Sequence, residues 1–341
     1  MRLKLSAIIA LSASLYAGAA SAVCQLQVTS EYHVTMNGNR PLVDASINGH
    51  PVRFMVDLGS AKTLISRQGA AELGLTPHRV NGLVMYGLGG GEVASETIVQ
   101  ELRLGNAVAH NVDIMILGEG LKSSQFVGLL GQDFLSQADI EFDFPEGRMR
   151  LIKPKGCDGD QVVYNWKSYM LAPLVPSNNP GIVEVYVALN GQKAIAQLDS
   201  GAAVSFVDKG MAERVGVTPR TENVVQTNDS RGIAGAPVPT YLAVFPSFAI
   251  GDEQISNAKL RIADMFHGDT EKPIDSLIAK TAVDKRDMLL GADFLRAHHV
   301  YVARSQGKMY FAYQGGPIFQ VVRPPVQEAP SAGQTPAQDN H

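Results

Sequence analysis

The sequence predicts a mainly β protein of two homologous lobes related by a pseudo-two-fold axis, with one short helix or two per lobe. An internal repeat, a second repeat block at a different offset, and matching turn and strand signals in both copies predict it. Shifted by 142 residues, Ile47–Pro77 lies on Leu189–Pro219 without a gap, and nine of 31 positions are identical. Average residue usage gives roughly two by chance. Leu129–Leu135 lies on Leu289–Leu295 at offset 160 with six identities in seven, and Gly147 and Met149 then fall on Gly307 and Met309. The change of offset puts 18 extra residues in the second copy, much of it in the polar stretch 264–287. This is a duplicated domain rather than a small-unit solenoid.

The chain opens with Arg2 and Lys4, a mostly apolar run over 5–17, and the small residues Ala20-Ser21-Ala22. That pattern predicts a signal peptide over 1–22 and an exported protein, periplasmic or secreted. The apolar run is shorter than the ~20 residues that cross a bilayer, so no membrane span is expected after its removal. Val23 stands before Cys24 where a lipidation signal needs a small residue. In an oxidising compartment an isolated cysteine pair is more often a disulfide than a catalytic thiol or metal site, and Cys24 and Cys157 allow one connectivity.

The first lobe is expected over 23–152. Asn48-Gly49 is a hairpin signal between the β-rich runs Leu42–Ile47 and Val52–Val56, and Asn190-Gly191 one between Val183–Leu189 and Lys193–Leu198. Short helices fit Ser66–Leu73 and Asp208–Val215, with Ser66 and Asp208 as N-caps and Gly74 and Gly216 as stops. Pro77 and Pro219 forbid continuation. Residues 153–180, with prolines and glycines at Pro154, Gly156, Gly159, Pro173, Pro176 and Pro180, predict a linker. The second lobe follows over 181–315. The remaining 316–341 form a tail, expected to be disordered from about 324 for its Pro, Gln, Ala and Ser content.

The formal charge is −4, and removing Arg2 and Lys4 with the signal makes it −6. There is no basic stripe, so nucleic acid is not an expected partner. His298 and His299 are adjacent and point to opposite faces of a strand, where they offer no metal site and are expected to be ordinary surface or edge residues. No metal and no cofactor are expected.

Each copy sets an aspartate at the end of an apolar strand, followed by x-Gly: Asp57-Leu58-Gly59-Ser60 and Asp199-Ser200-Gly201-Ala202. One such tetrapeptide is common turn chemistry. Two at equivalent positions of a duplicated domain can meet face to face across the pseudo-two-fold axis. Burial and mutual repulsion then separate their pKa values, so the pair shares one proton. The charged member is a base toward water and the protonated one donates to a carbonyl. Ser60 follows the first loop where Ala202 follows the second, and a Ser60 hydroxyl donating to Asp57 predicts Asp57 as base and Asp199 as acid.

These loops, each followed by an apolar-apolar-Gly strand (Leu129-Leu130-Gly131 and Leu289-Leu290-Gly291), resemble the aspartic peptidases of the pepsin and retropepsin type, and among them the two-lobed bacterial retropepsin-like aspartyl proteases. The resemblance covers roughly 40–152 and 181–313. It implies a β-barrel in each lobe, catalytic Asp57 and Asp199, and an endopeptidase acting on peptide or protein substrates. It also implies a hairpin flap over the cleft. Tyr86-Gly87-Leu88-Gly89-Gly90-Gly91 and Arg231-Gly232-Ile233-Ala234-Gly235-Ala236 lie at the flap position of each copy. Glu92–Leu104 is strand-like, which argues against a phosphate loop there. The second hairpin, near Gly232, is expected to be the less involved, on the analogy of pepsins. The family's usual residue between Asp and Gly is Thr or Ser, whose hydroxyl bonds across to the opposite loop; Ser200 can do this and Leu58 cannot. Leu58 therefore leaves a second reading, a non-catalytic peptide-binding protein that reuses the cleft.

Overall fold

Both Asn-Gly pairs form the tight turns of equivalent hairpins. The computed structural model describes residues 24–118, 121, 123–157, 163, 166–177, 181–265 and 286–320. In it Asn48 and Asn190 have φ of 50° and 49°, and the glycines after them 80° and 76°. Two successive left-handed residues give the turn whose twist suits antiparallel strands. The expected signal peptide, the tail beyond 320 and most of the extra polar stretch of the second copy lie outside the described residues.

The first copy contains β1 (Gln25–Asn37), β2 (Arg40–Ile47), β3 (His50–Val56), β4 (Leu64–Ile65) and α1 (Arg67–Glu72). It continues through β5 (His78–Gly87), β6 (Gly90–Leu104), β7 (Ala107–Ile116), β8 (Gly128–Leu130) and α2 (Gln132–Leu135) to β9 (Asp139–Asp143) and β10 (Arg148–Lys155). After β11 (Met170–Pro173), the second copy contains β12 (Glu184–Leu189), β13 (Gln192–Asp199), β14 (Phe206–Asp208), α3 (Lys209–Arg214) and β15 (Val225–Gln226). Then come β16 (Ser230–Arg231), β17 (Pro237–Val238), β18 (Thr240–Ile250), β19 (Glu253–Ala263) and β20 (Met288–Gly291). The last elements are α4 (Ala292–Leu295), β21 (His298–Ala303) and β22 (Lys308–Tyr313).

Each lobe closes a six-stranded barrel in the same order. The first runs β2-β3-β8-β4-β7-β6 and closes through β2–β6; the second runs β12-β13-β20-β14-β19-β18 and closes through β12–β18. In both, the strand that ends in the aspartate runs parallel to the apolar-apolar-Gly strand. The expected caps form: Ser66 Oγ accepts from the Gly69 amide and the Asp208 carboxylate from the Gly210 amide. Phe54, Ile47 and Leu58 of the first lobe, and Phe245, Phe248 and Leu198 of the second, are fully buried in one hydrophobic cluster shared by the lobes. Burying side chains of this size stabilises by about 1.5–3 kcal/mol each.

A second, antiparallel layer joins the copies in the order β11-β22-β21-β9-β10-β1, with the joint at β21–β9. The stretch expected to be a linker contributes to this layer. β10 extends to Lys155, and β11 pairs with β22 because Pro173 falls at its last residue, where a missing N–H costs least. The Cys24–Cys157 disulfide ties the start of β1 to the chain just beyond β10, a sequence separation of 133.

The two adjacent histidines do alternate across β21, but the expectation that both are surface or edge residues fails for His298. It is wholly buried, its Nδ1 is 2.8 Å from the Phe294 carbonyl and its Nε2 3.1 Å from Glu253. That carboxylate gives the buried ring its polar partner. His299 is on the other face, 2.7 Å from Glu141 Oε1 and stacked on Trp166.

Candidate active site

The registers of β3 on β8 and of β13 on β20 deliver the two aspartates to one place. Val56 pairs with Leu130, and the Asp57 amide donates to the Leu130 carbonyl at 3.0 Å. Asp199 lies opposite Gly291 in the equivalent ladder. Each chain then turns so that two amides point back at its own carboxylate. Gly59 and Ser60 donate to Asp57 Oδ1 at 2.8 and 3.0 Å, and Gly201 and Ala202 to Asp199 Oδ1 at 3.0 and 3.1 Å.

The loops cross. A Cβ on Gly59 would lie 2.5 Å from the Asp199 carboxyl carbon, and one on Gly201 would collide with the Asp57 carboxylate. Glycine is required at both positions because each packs directly under the other loop's acid. The two carboxyls hydrogen-bond to each other. Desolvation, then repulsion from Asp199, then the proton shared with it hold Asp57 well above the usual carboxylate range. Asp199 is also raised by desolvation, but the Ala202 amide, the hydrogen bond from Asp57, the Gly201 amide and the charge of Arg286 oppose the rise. Both acids are thus pushed toward the neutral form, as in a buried pair that holds one proton between them.

The bond expected from the Ser60 hydroxyl to Asp57 does not form. That hydroxyl donates instead to the Lys62 carbonyl at 2.7 Å, leaving only the Ser60 amide on Asp57, as Ala202 does on Asp199. The hydroxyl satisfies a nearby backbone acceptor, a common local pattern for serine. Ser200 behaves as expected: its Oγ accepts from the Leu58 amide at 3.0 Å and donates to the Val56 carbonyl at 2.8 Å. The Leu58 side chain is fully buried. Its carbonyl accepts from Gln132 Nε2 at 2.7 Å, and Gln132 Oε1 accepts from Arg304 at 2.7 Å. Sequence reasoning missed Gln132 and Arg304, although Gln132 is the one mismatch in the seven-residue repeat block, opposite Ala292.

The flap candidates also meet. β5 and β6 join through Leu88-Gly89, with Gly87 opposite Gly90 and Tyr86 opposite Gly91. Tyr86 is exposed, its ring lying close over Gly91. The tip touches the hairpin of β16 and β17: a Cβ on Gly87 would lie 3.0 Å from Ile233 Cγ2, and one on Gly232 would lie 2.8 Å from Leu88 Cβ. The contacts are reciprocal, since Ile233 packs on a first-lobe cluster with Leu42 and Phe126, while Leu88 packs on a second-lobe cluster with Phe206 and Val238. The two hairpins therefore meet at their tips. Each tip carries an aliphatic residue beside glycines, so the two backbones approach closely enough to exchange side chains.

Among the described residues, no group of three or more His, Cys, Asp or Glu is gathered as a metal site, and no helix is long and apolar enough to cross a membrane. A family model described as aspartyl protease matches residues 43–134 and 184–294, one Asp-x-Gly loop in each stretch. No curated protein matches the chain. Among solved structures, the crystal structure of aspartic proteinase from Irpex lacteus aligns with a TM-score of 0.48 at 11% sequence identity, covering 83% of this chain and 97% of that one. The two stretches matched by the family model span more than half of the 341 residues, and the chain belongs to the aspartyl protease family.

Proposed function

We propose that the protein is an exported, retropepsin-like aspartic endopeptidase that hydrolyses peptide bonds with water activated between Asp57 and Asp199. The observation that carries this reading is the hydrogen-bonded carboxyl pair, each member held by two amides and packed under the other loop's glycine. The charged member of the pair takes a proton from water as the oxygen attacks the scissile carbonyl, and the protonated member gives its proton to the carbonyl oxygen. In the collapse of the resulting diol the C–N bond breaks. The member that took the water proton passes it to the leaving nitrogen, and the other recovers one from a hydroxyl of the diol. The atoms balance without a cofactor.

The flap tips of Leu88 and Ile233, with Tyr86 beside them, are the groups suited to covering a bound peptide and excluding water. The Cys24–Cys157 disulfide supports export, because such bonds persist in oxidising compartments. The lobes proposed are 23–152 and 181–315, with the signal peptide over 1–22. Digestion of a fluorogenic peptide library across pH, with and without a statine-type transition-state inhibitor, tests the reading. Inhibitable cleavage is expected, whereas inhibitor binding without cleavage by the wild-type protein would make it a peptide-binding relative.

A further inference from the structure

Two of the differences between the halves of the site bear on how its loops are held. The residue after the aspartate is Leu58 in one loop and Ser200 in the other, and the residue after the apolar-apolar-Gly strand is Gln132 in one lobe and Ala292 in the other. The structure joins them. At the backbone level the lobes agree, since the Gln132 amide donates to the Ser60 carbonyl at 2.9 Å and the Ala292 amide to the Ala202 carbonyl at 2.8 Å. The side chains differ. In the second loop, Ser200 reaches across to Val56 and Leu58 directly. In the first, where Leu58 has no hydroxyl to reach back, the buried Gln132 amide holds the Leu58 carbonyl and is itself held by Arg304.

Arg304 lies in the 3-10 turn Arg304–Gln306 after β21, so this chain of bonds also begins in the opposite half of the molecule. Each loop is therefore fastened across the pseudo-two-fold axis, one through a hydroxyl and the other through a guanidinium-amide relay. Glutamine suits the role because its amide both donates and accepts. A charged donor on Oε1 polarises the amide and strengthens the bond that Nε2 gives to Leu58. Desolvation lowers the Arg304 pKa to about 10, which still leaves it charged at neutral and acidic pH.

We propose that Gln132 and Arg304 are positioning residues for the Asp57 loop, replacing through a relay the cross-loop hydroxyl that Leu58 lacks. The role in catalysis rests on the endopeptidase reading, but the effect on loop order does not. The test is a double-mutant cycle of Gln132→Met, which keeps the length and removes both bonds, with Leu58→Thr, which restores a hydroxyl. Amide hydrogen exchange at Leu58–Ser60 and steady-state kinetics across pH are read on each variant. Loss of the bond to the Leu58 carbonyl predicts, for Gln132→Met, exchange about tenfold faster and kcat about tenfold lower, with KM nearly constant and a displaced acidic limb of the pH profile. In the Leu58→Thr background the same change should cost under about twofold. Arg304→Met should reproduce the Gln132→Met signature with Gln132 in place, and decides the matter if Gln132→Met does not fold. Wild-type exchange and kinetics in both relay variants, or a Gln132→Met defect of the same size in the Leu58→Thr background, would overturn the proposal. If the wild-type protein cleaves no peptide, the endopeptidase reading fails and the exchange cycle still decides the relay.

Discussion

The Leu58 amide donates to the Ser200 hydroxyl at 3.0 Å across 142 residues of sequence, and that hydroxyl donates onward to the Val56 carbonyl. One fully buried side chain thus satisfies two backbone groups of the opposite lobe. Ser200→Ala strands both, and each unsatisfied buried group costs about 1–3 kcal/mol. The expected result is a loss of about 2–4 kcal/mol in denaturant unfolding. Ser200→Thr, which keeps the hydroxyl, should recover most of it.

Asp57→Asn should abolish hydrolysis and raise thermal stability together. Burial and repulsion both oppose ionisation of this pair, and an amide removes one buried acid and its repulsion of the other while filling the same space. The gain is about 1 kcal/mol, or about 2 °C for a chain of this size, by calorimetry.

Stability should also depend on pH through Asp293, which is buried against Ser205 and raised by desolvation from 3.8 to about 6. The folded protein holds this proton more tightly than the unfolded one. The contribution is therefore complete below pH 3.8 and is lost as pH rises through about 6. Its size is on the order of 3 kcal/mol. Asp57 and Asp199 have the same sign. Unfolding measured from pH 4 to 7 should show falling stability, with a shallower slope in Asp293→Asn.

Reduction of the Cys24–Cys157 bond, or Cys24→Ser with Cys157→Ser, should destabilise the protein. A closed loop of this length is worth about 4–5 kcal/mol in the chain-entropy account. Denaturant melts with and without reductant check this.

Truncating either flap tip should loosen both, because Leu88 and Ile233 pack on each other's lobes. Ile233→Ala should lower kcat/KM several-fold, at about 1–2 kcal/mol for the lost contact. Amide exchange at Gly87–Gly90 should speed up in the same variant, although the substitution is in the other hairpin.

Much of this architecture was legible because it is written twice. The 142-residue shift exposed the paired aspartates, and Asn-Gly turns, Ser66 and Asp208 caps and the lone cysteine pair are local or compositional signals. Long-range side-chain choices were not legible. Ser60 could donate to its own loop's acid or to Lys62, and only backbone geometry decides. His298 meets Glu253 from another strand, and Arg304 meets Gln132 from the far half, pairings that no periodicity encodes. β11 was hidden because a short edge strand flanked by prolines has the composition of a linker.

Asp57 and Asp199 are proposed to act as one catalytic unit. The most direct measurement is the pH profile of peptide hydrolysis for the wild-type protein, Asp57→Asn and Asp199→Asn, with folding checked by circular dichroism. A bell-shaped profile in the wild type and loss of activity in both folded variants are expected. Full activity in Asp199→Asn, or a folded wild-type protein that binds but never cleaves peptides at any pH, would contradict that proposal.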